Sequence, residues 1–73
     1  MRRVGLALHE AKSGRVIIKL DEFIPEGSIL YDKDGRKYSR LTELIGPKSS
    51  PYGSSVPLTD RIRRSLGEEV FIR

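Results

Sequence analysis

The sequence predicts a small antiparallel β-barrel. Apolar residues alternate with a period of two along much of the 73-residue chain, which is typical of strands with one buried face. Gly, Pro and Asp residues divide these segments into about six short strands. A chain of this length is too small for two full sheets, and closure into a barrel protects the sheet edges. We therefore expect one domain over residues 1–73.

The first two strands are expected to form a hairpin. Two apolar stripes flank its turn: Val4, Leu6 and Leu8, then Val16, Ile18 and Leu20. A two-residue Ser13-Gly14 loop would place the stripes on opposite faces, whereas a three-residue loop over 12–14, with Gly14 in the left-handed conformation, places them on one face. We expect the second arrangement, with both stripes in the core. The outer face is then rather apolar: Ala7, His9, Ala11 and Ile17.

Four further strands are predicted after the polar connection "DEFIPEGS". They are "ILY", "KYSRLTELI", "YGSSV" and "EEVFIR". Between the first two, Asp34-Gly35 is a strong hairpin signal, and a two-residue loop there places Tyr31 opposite Tyr38. A start signal at Thr59 or Asp60 and a stop at Gly67 predict one short turn of helix before the last strand.

Composition narrows the classes of function. A net charge of +4 is compatible with a ribonucleoprotein environment. The chain has no Cys and one His, so we expect neither disulfides nor a thiolate or histidine metal cluster. No apolar run approaches the ~20 residues that span a membrane, and Val4–Leu8 is shorter than the ~7–15-residue core of a signal peptide. We expect a cytoplasmic protein.

No catalytic constellation is visible in the sequence. His9 and Glu10 are adjacent on a predicted strand and therefore point to opposite faces. Nucleophile-elbow, phosphate-loop and dinucleotide-binding motifs do not occur. The segment from Asp32 opens like a calcium loop, but Arg36 and Lys37 stand where an oxygen ligand and Gly are needed. We expect no enzyme activity, no cofactor and no metal.

Basic residues leave nucleic-acid binding open. The candidates close to RNA are Arg61, Arg63 and Arg64, to which a larger patch could add Arg2, Arg3, Lys12 and Arg15. Such a patch suffices for phosphate contacts, whereas base stacking needs aromatic residues displayed on strands. The tyrosines are not interleaved with these basic residues in the sequence. An RNA- or ribosome-binding barrel, of the translation-factor or ribosome-maturation type, is therefore the alternative function.

The segment "IGPKSSPYGSSVP" is a stiff, partly apolar loop in the middle of the chain. It holds three prolines, two glycines and one tyrosine. Prolines reduce the conformational entropy lost on binding, and a tyrosine offers a large rigid contact. The loop is therefore a candidate binding surface. The alternative role for Tyr52 is to plug one end of the barrel.

Several motifs together resemble a known family. "VGLALHEAKSGRVII", "PEGSILYD", "IGPKSSPY" and "GEEVF" resemble the small GAR (glycine-arginine-rich) subunit of H/ACA ribonucleoproteins, in the archaeal form without an Arg-Gly tail. The most specific parts are Leu8-His9-x-Ala11-Lys12-x-Gly14 and Gly46-Pro47-x-x-x-Pro51-Tyr52. The family usually has one residue fewer between the two prolines. It also favours aliphatic residues where this chain has Lys48 and the segment 53–55.

The resemblance implies a six-stranded split barrel that is not an enzyme. Family members bind the catalytic pseudouridine synthase of the H/ACA particle and assist substrate RNA loading and product release. They act in rRNA modification and ribosome biogenesis, and meet guide and substrate RNA largely indirectly. The resemblance makes the Pro-Tyr loop the docking surface, with Gly46, Pro47, Pro51 and Tyr52. The apolar outer face adds His9 and Ile17 to the expected partner-binding residues.

Overall fold

Six antiparallel strands close into a barrel. A computed structural model describes residues 1–60 and 66–73. The strands are β1 (Arg2–Glu10), β2 (Val16–Leu20), β3 (Ile29–Tyr31), β4 (Lys37–Ile45), β5 (Tyr52–Pro57) and β6 (Glu69–Ile72). Their order around the barrel is β1-β2-β5-β4-β3-β6, and β6 pairs back onto β1. The predicted fold class, an all-β six-stranded antiparallel barrel, is confirmed.

One prediction from the sequence falls on residues that the structure does not describe. The predicted turn of helix falls mainly on residues 61–65, which lie outside the described part of the chain. Among the residues that are described, no helix is both long enough and apolar enough to cross a membrane.

The barrel core is formed by inward side chains of β1, β2, β3, β4 and β6, together with Ile24 of the β2–β3 connection. Ten hydrophobic residues there are at most 1% exposed: Val4, Ala7, Val16, Ile18, Leu20, Ile24, Leu30, Tyr38, Leu41 and Val70. Leu44, Leu66 and Ile72 pack against this cluster and are partly buried. Burying one such aliphatic side chain contributes about 1.5–3 kcal/mol, so this cluster is the main source of stability.

The turn between β1 and β2 has the predicted three-residue loop. The Ala11 N–H donates to the Arg15 carbonyl oxygen at 2.7 Å, and the Gly14 N–H donates to the Ala11 carbonyl oxygen at 2.9 Å. The loop is thus Lys12-Ser13-Gly14. Gly14 has a φ of +87°, as a type I turn followed by a left-handed residue requires.

A β-bulge in β1 changes which residues are buried. His9 is paired with Ile17 and Ala7 with Ile18, so Leu8 is an extra residue between them. The bulge reverses the faces of residues 5–7, and a second register shift between Arg3 and Gly5 returns Val4 to the core. Ala7 is therefore in the core, while Leu6 is only half-buried and Leu8 is 36% exposed. The predictions that Leu6 and Leu8 are core residues and that Ala7 is on the outer face were wrong.

The turn between β3 and β4 also differs from its prediction. Asp32 and Arg36 are hydrogen-bonded across a three-residue loop, and Tyr31 is opposite Lys37 rather than Tyr38. The physical reason is the Asp32 side chain, whose Oδ1 accepts the backbone N–H groups of Asp34 at 2.9 Å and Arg36 at 3.0 Å. These bonds favour the longer loop, and Tyr38 turns into the core.

Tyr38 brings a hydroxyl group into the core without a partner. The residue is 1% exposed, and no hydrogen bond to its hydroxyl oxygen is found in the described structure. Burial raises the pKa of Tyr38 from 10.0 to about 12, and the negative charge of Glu68 adds to this effect. The folded protein therefore holds this proton more strongly than the unfolded chain does.

We predict that replacing Gly14 by Val lowers the free energy of unfolding by more than about 1 kcal/mol, because a β-branched residue is strained at positive φ. Crowding does not contribute, since no atom lies within 4 Å of the position of an added Cβ. Denaturant unfolding measures the change. Gly14→Asn is the matched control and should lose less, because Asn tolerates the left-handed region better. An unchanged unfolding curve for Gly14→Val would contradict the assigned turn.

We predict that stability falls as the pH rises from about 10 through about 12, because Tyr38 has its raised pKa only in the folded state. Below pH ~10 this contribution is fully present. Ultraviolet titration of the phenols should show an ionisation near pH 12 that Tyr38→Phe removes and Tyr52→Phe keeps.

Tyr38→Phe should also be at least as stable as the parent at neutral pH, because it removes a buried unpaired hydroxyl. A loss of stability at neutral pH would show that the hydroxyl has a partner.

Candidate functional site

The Pro-Tyr loop is the connection between β4 and β5, and it is fixed at both ends. Ile45 and Tyr52 are directly opposite each other where the hairpin begins. Gly46 turns the chain with a φ of +91°, and the Ser50 N–H donates to the Pro47 carbonyl oxygen at 3.3 Å. At the far end, the Leu20 N–H donates to the Pro51 carbonyl oxygen at 2.9 Å. The loop is therefore held by the sheet as well as by its prolines.

Tyr52 lies on the outside of the barrel. Its side chain is 40% exposed, so it does not plug an end of the barrel. It is opposite Lys19 of β2 on one side and Ile45 of β4 on the other. An added Cβ at Gly46 would lie 4.0 Å from Tyr52 Cδ2, so the ring stands beside the turn. Tyr52 thus presents a large aromatic surface to solvent from a position that two neighbouring strands define.

Apolar side chains surround Tyr52 on the outer surface. Lys19 pairs with Leu6 as well as with Tyr52, so one row across four strands contains Leu6, Lys19, Tyr52 and Ile45. Ile45 is 50% exposed. We call the apolar members of this surface the Tyr52 face: Leu6, Leu8, Ile17, Ile45 and Tyr52.

Sequence reasoning missed three members of the Tyr52 face. Leu6 and Leu8 face outward only because of the bulge, which their regular alternation does not reveal. Ile45 was identified as a strand residue and as the first residue of the Pro-Tyr loop segment, but not as a partner-binding residue.

The other expected partner-binding residues divide into exposed and buried ones. Gly46, Pro47 and His9 are exposed, and Ile17 is half-buried. His9 is opposite Ile17, so both lie in the row next to that of Tyr52. Pro51, in contrast, is less than 2% exposed and cannot contact a partner. The expectation that Pro51 is part of the docking surface is corrected: it fixes the end of the loop from within.

Small residues after Tyr52 make room for core leucines. An added Cβ at Gly53 would lie 2.4 Å from Leu41 Cδ1 and 3.3 Å from Leu20 Cδ1, so only Gly fits there without rearrangement. The buried Ser55 Oγ donates to the Val16 carbonyl oxygen at 2.9 Å. The segment 53–55 therefore supports the barrel at the place where the resembled family has alternating aliphatic residues.

The predicted basic patch is not assembled in the described structure. Arg61, Arg63 and Arg64 lie outside the described residues. Arg2 pairs with Glu22 at 2.9 Å, and Arg3 pairs with Asp21 and Glu69. Lys12 and Arg15 are in the turn at the opposite end of β1, roughly 26 Å away for a strand of that length. These four cations therefore belong to two separate ends of the barrel.

The structure describes potential metal ligands over residues 1–60 and 66–73. Within these ranges no group of three or more His, Cys, Asp or Glu side chains could hold a metal ion. The Asp32 carboxylate, which opens the calcium-like segment, accepts backbone N–H groups of its own turn instead.

A protein of similar sequence aligns with almost the whole of this chain. No family model matches the chain. A protein of Methanothermobacter thermautotrophicus (strain Delta H), which bears the name "Uncharacterized protein", is 24% identical over 76 aligned residues. The alignment covers 99% of this chain and 83% of that relative. The similarity thus includes all six strands, and the relative's name indicates no function.

Proposed function

We propose that this protein is the non-catalytic GAR-type subunit of an archaeal H/ACA guide-RNA-dependent pseudouridylation particle. In this role it binds the pseudouridine synthase in the cytoplasm and assists substrate RNA loading and product release. The observation that carries the proposal is the Tyr52 face. It lies beside the Pro-Tyr loop that the family resemblance assigns to docking.

The composition of the Tyr52 face suits a protein partner. Three of its side chains, those of Leu8, Ile45 and Tyr52, are at least 36% exposed. The face combines exposed apolar side chains with an aromatic residue, as protein–protein interfaces do, where a few buried aromatic residues dominate the binding energy. Lys19, which is directly opposite Tyr52, adds an exposed cation to the same surface.

The loop adds preorganisation to this surface. Because Pro47 and Pro51 restrict the chain beside Tyr52, less conformational entropy remains to be lost on docking. The proposed interface therefore requires no ordering of the β4–β5 connection.

The alternative, an RNA- or ribosome-binding barrel, depends on a different part of the molecule. Its sequence signal was the cluster Arg61, Arg63 and Arg64, which lies outside the described residues. The two proposals therefore make separable predictions for synthase binding and for RNA binding.

We predict that Tyr52→Ala weakens binding to the synthase by about 30-fold, the equivalent of ~2 kcal/mol for loss of an aromatic anchor. The melting temperature should barely change, because the ring is 40% exposed. Isothermal titration calorimetry and thermal melting measure the two effects. Phe23→Ala, a change at another exposed aromatic residue, is the matched control and should leave synthase binding intact. A Tyr52→Ala protein that melts normally and binds at full strength would exclude this face as the docking surface.

We also predict that the isolated protein forms no pseudouridine when guide and substrate RNA are supplied, because no catalytic constellation is visible in its sequence. Filter binding at physiological salt should show no complex with folded guide RNA at sub-micromolar concentration. Turnover by the isolated chain would overturn the proposed role. A tight complex that weakens steeply with salt would favour the RNA-binding alternative.

A further inference from the structure

A second aromatic surface lies at the junction where the barrel closes. Tyr31 of β3 and Phe71 of β6 are directly opposite each other, and theirs is the one register pair that joins these two strands. Each follows a buried core residue, Leu30 or Val70, so both rings face outward. Both are half-buried, which leaves part of each ring accessible.

Cations flank this aromatic pair. The Arg73 guanidinium carbon lies 4.6 Å from the centre of the Tyr31 ring, a cation–π contact. Lys37 is directly opposite Tyr31 on β4 and is exposed. Neither Lys37 nor Arg73 forms an ion pair within the described residues, whereas Arg3 on the far side of Phe71 is paired with two carboxylates. We call Tyr31, Phe71, Lys37 and Arg73 the Tyr31 platform.

A pocket continues the platform along β3. Beyond the single pair, β3 and β6 separate, and an open pocket of about 340 Å³ lies between them. Apolar side chains form most of its walls: Ile24, Pro25, Ile29 and Ile72. Tyr31 and Arg73 lie at one end. A flat, partly apolar group can therefore enter beside the Tyr31 ring while an attached anion meets Arg73.

We propose that the Tyr31 platform binds single-stranded nucleic acid by stacking bases on Tyr31 and Phe71 and pairing phosphates with Lys37 and Arg73. Two adjacent aromatic rings on neighbouring strands, flanked by unpaired cations, provide the two interactions that such binding combines. The objection that the tyrosines are distant in sequence from basic residues does not apply here, because barrel closure brings residues 31, 37, 71 and 73 together.

This proposal does not rest on the proposed function. In the barrel order, β5 and β6 are three strands apart in either direction, so Tyr52 and Phe71 are on opposite sides. A protein docked on the Tyr52 face would leave the platform open. The platform is small and carries two unpaired cations, so we expect weak binding, with a Kd in the ~10⁻⁶–10⁻⁴ M range of non-specific complexes at physiological salt.

Fluorescence anisotropy with the full chain tests the proposal. The probes are a labelled oligouridine of about 12 nucleotides, an oligodeoxythymidine of the same length and a duplex. Stacking acts on the bases of either sugar, so both single strands should bind and the duplex should bind less well. Equal binding of the duplex would indicate charge alone and overturn the proposal, as would no binding of either single strand in this concentration range.

Variants separate stacking from folding. Tyr31→Ala should weaken binding by about 5- to 150-fold, the range for loss of one base–aromatic stack. Phe71→Leu keeps apolar bulk at the barrel junction, so it should stay folded while weakening binding about 5-fold or more. Tyr52→Ala is the control on the opposite side and should bind RNA normally. Binding by folded Phe71→Leu at the parent's affinity would overturn the stacking role.

Charge reversals separate the platform from general electrostatic attraction. Lys37→Glu should weaken binding and reduce the slope of log K against log salt concentration by about 0.7, the value for one phosphate contact of a single strand. Lys48→Glu makes the same change of net charge on the β4–β5 loop, where the residue is also exposed, and should have a smaller effect. Equal effects of the two reversals would overturn the assignment. Lys37→Glu should still bind the synthase. That result would show that the loss of nucleic-acid binding is independent of the Tyr52 face.

Discussion

The narrow interior of a six-stranded barrel is the constraint on which the rest of this structure depends. Small residues occupy the interior at Gly5, Ala7 and Gly53. An added Cβ would meet the Lys19 backbone at Gly5 and the Leu41 side chain at Gly53. The bulge at Leu8 makes this possible, since it turns Ala7 inward and the two leucines outward. Two leucines pointing into the same space would overpack the core, at a cost of typically 1–3 kcal/mol. The apolar outer surface is thus a direct consequence of how the core is filled.

The order in which the strands close separates two surfaces of different character. The Tyr52 face lies on β1, β2, β5 and β4, and its exposed members are mainly apolar. The Tyr31 platform lies across the junction of β3 and β6, where β4 contributes Lys37. A small barrel can therefore offer one surface suited to a protein and another suited to a charged, planar ligand. A ligand bound at one surface therefore does not block binding at the other.

The sequence predicts regular features of this fold well and local irregularities poorly. Period-two alternation identifies the strands, and the three-residue loop that ends at Gly14 was predicted correctly. The shared core face from which that loop was argued does not include Leu6 and Leu8. The alternation of residues 4–8 is perfectly regular, however, and carries no sign that Leu8 is an extra residue. Asp34-Gly35 predicted a two-residue loop, but the Asp32 side chain accepts two backbone hydrogen bonds that favour a three-residue loop. Residue propensities for turns do not include such hydrogen bonds. At the candidate site, the loop and Tyr52 were found from composition. The platform was not found, because Tyr31 and Phe71 are adjacent only after barrel closure.

The placement of Tyr52 on a strand rather than on a loop explains how so small a domain can hold an aromatic side chain in a fixed position on its surface. Tyr52 is the first residue of β5, and ladder pairs to both Lys19 and Ile45 fix its backbone. The prolines then need only to bring the chain from β4 to β5 without covering the ring. Pro51 does this from a buried position, with its carbonyl oxygen bonded to Leu20. Pro51 therefore stiffens the loop, while the adjacent Tyr52 exposes its ring. The same sheet that stabilises the barrel also orients this aromatic side chain.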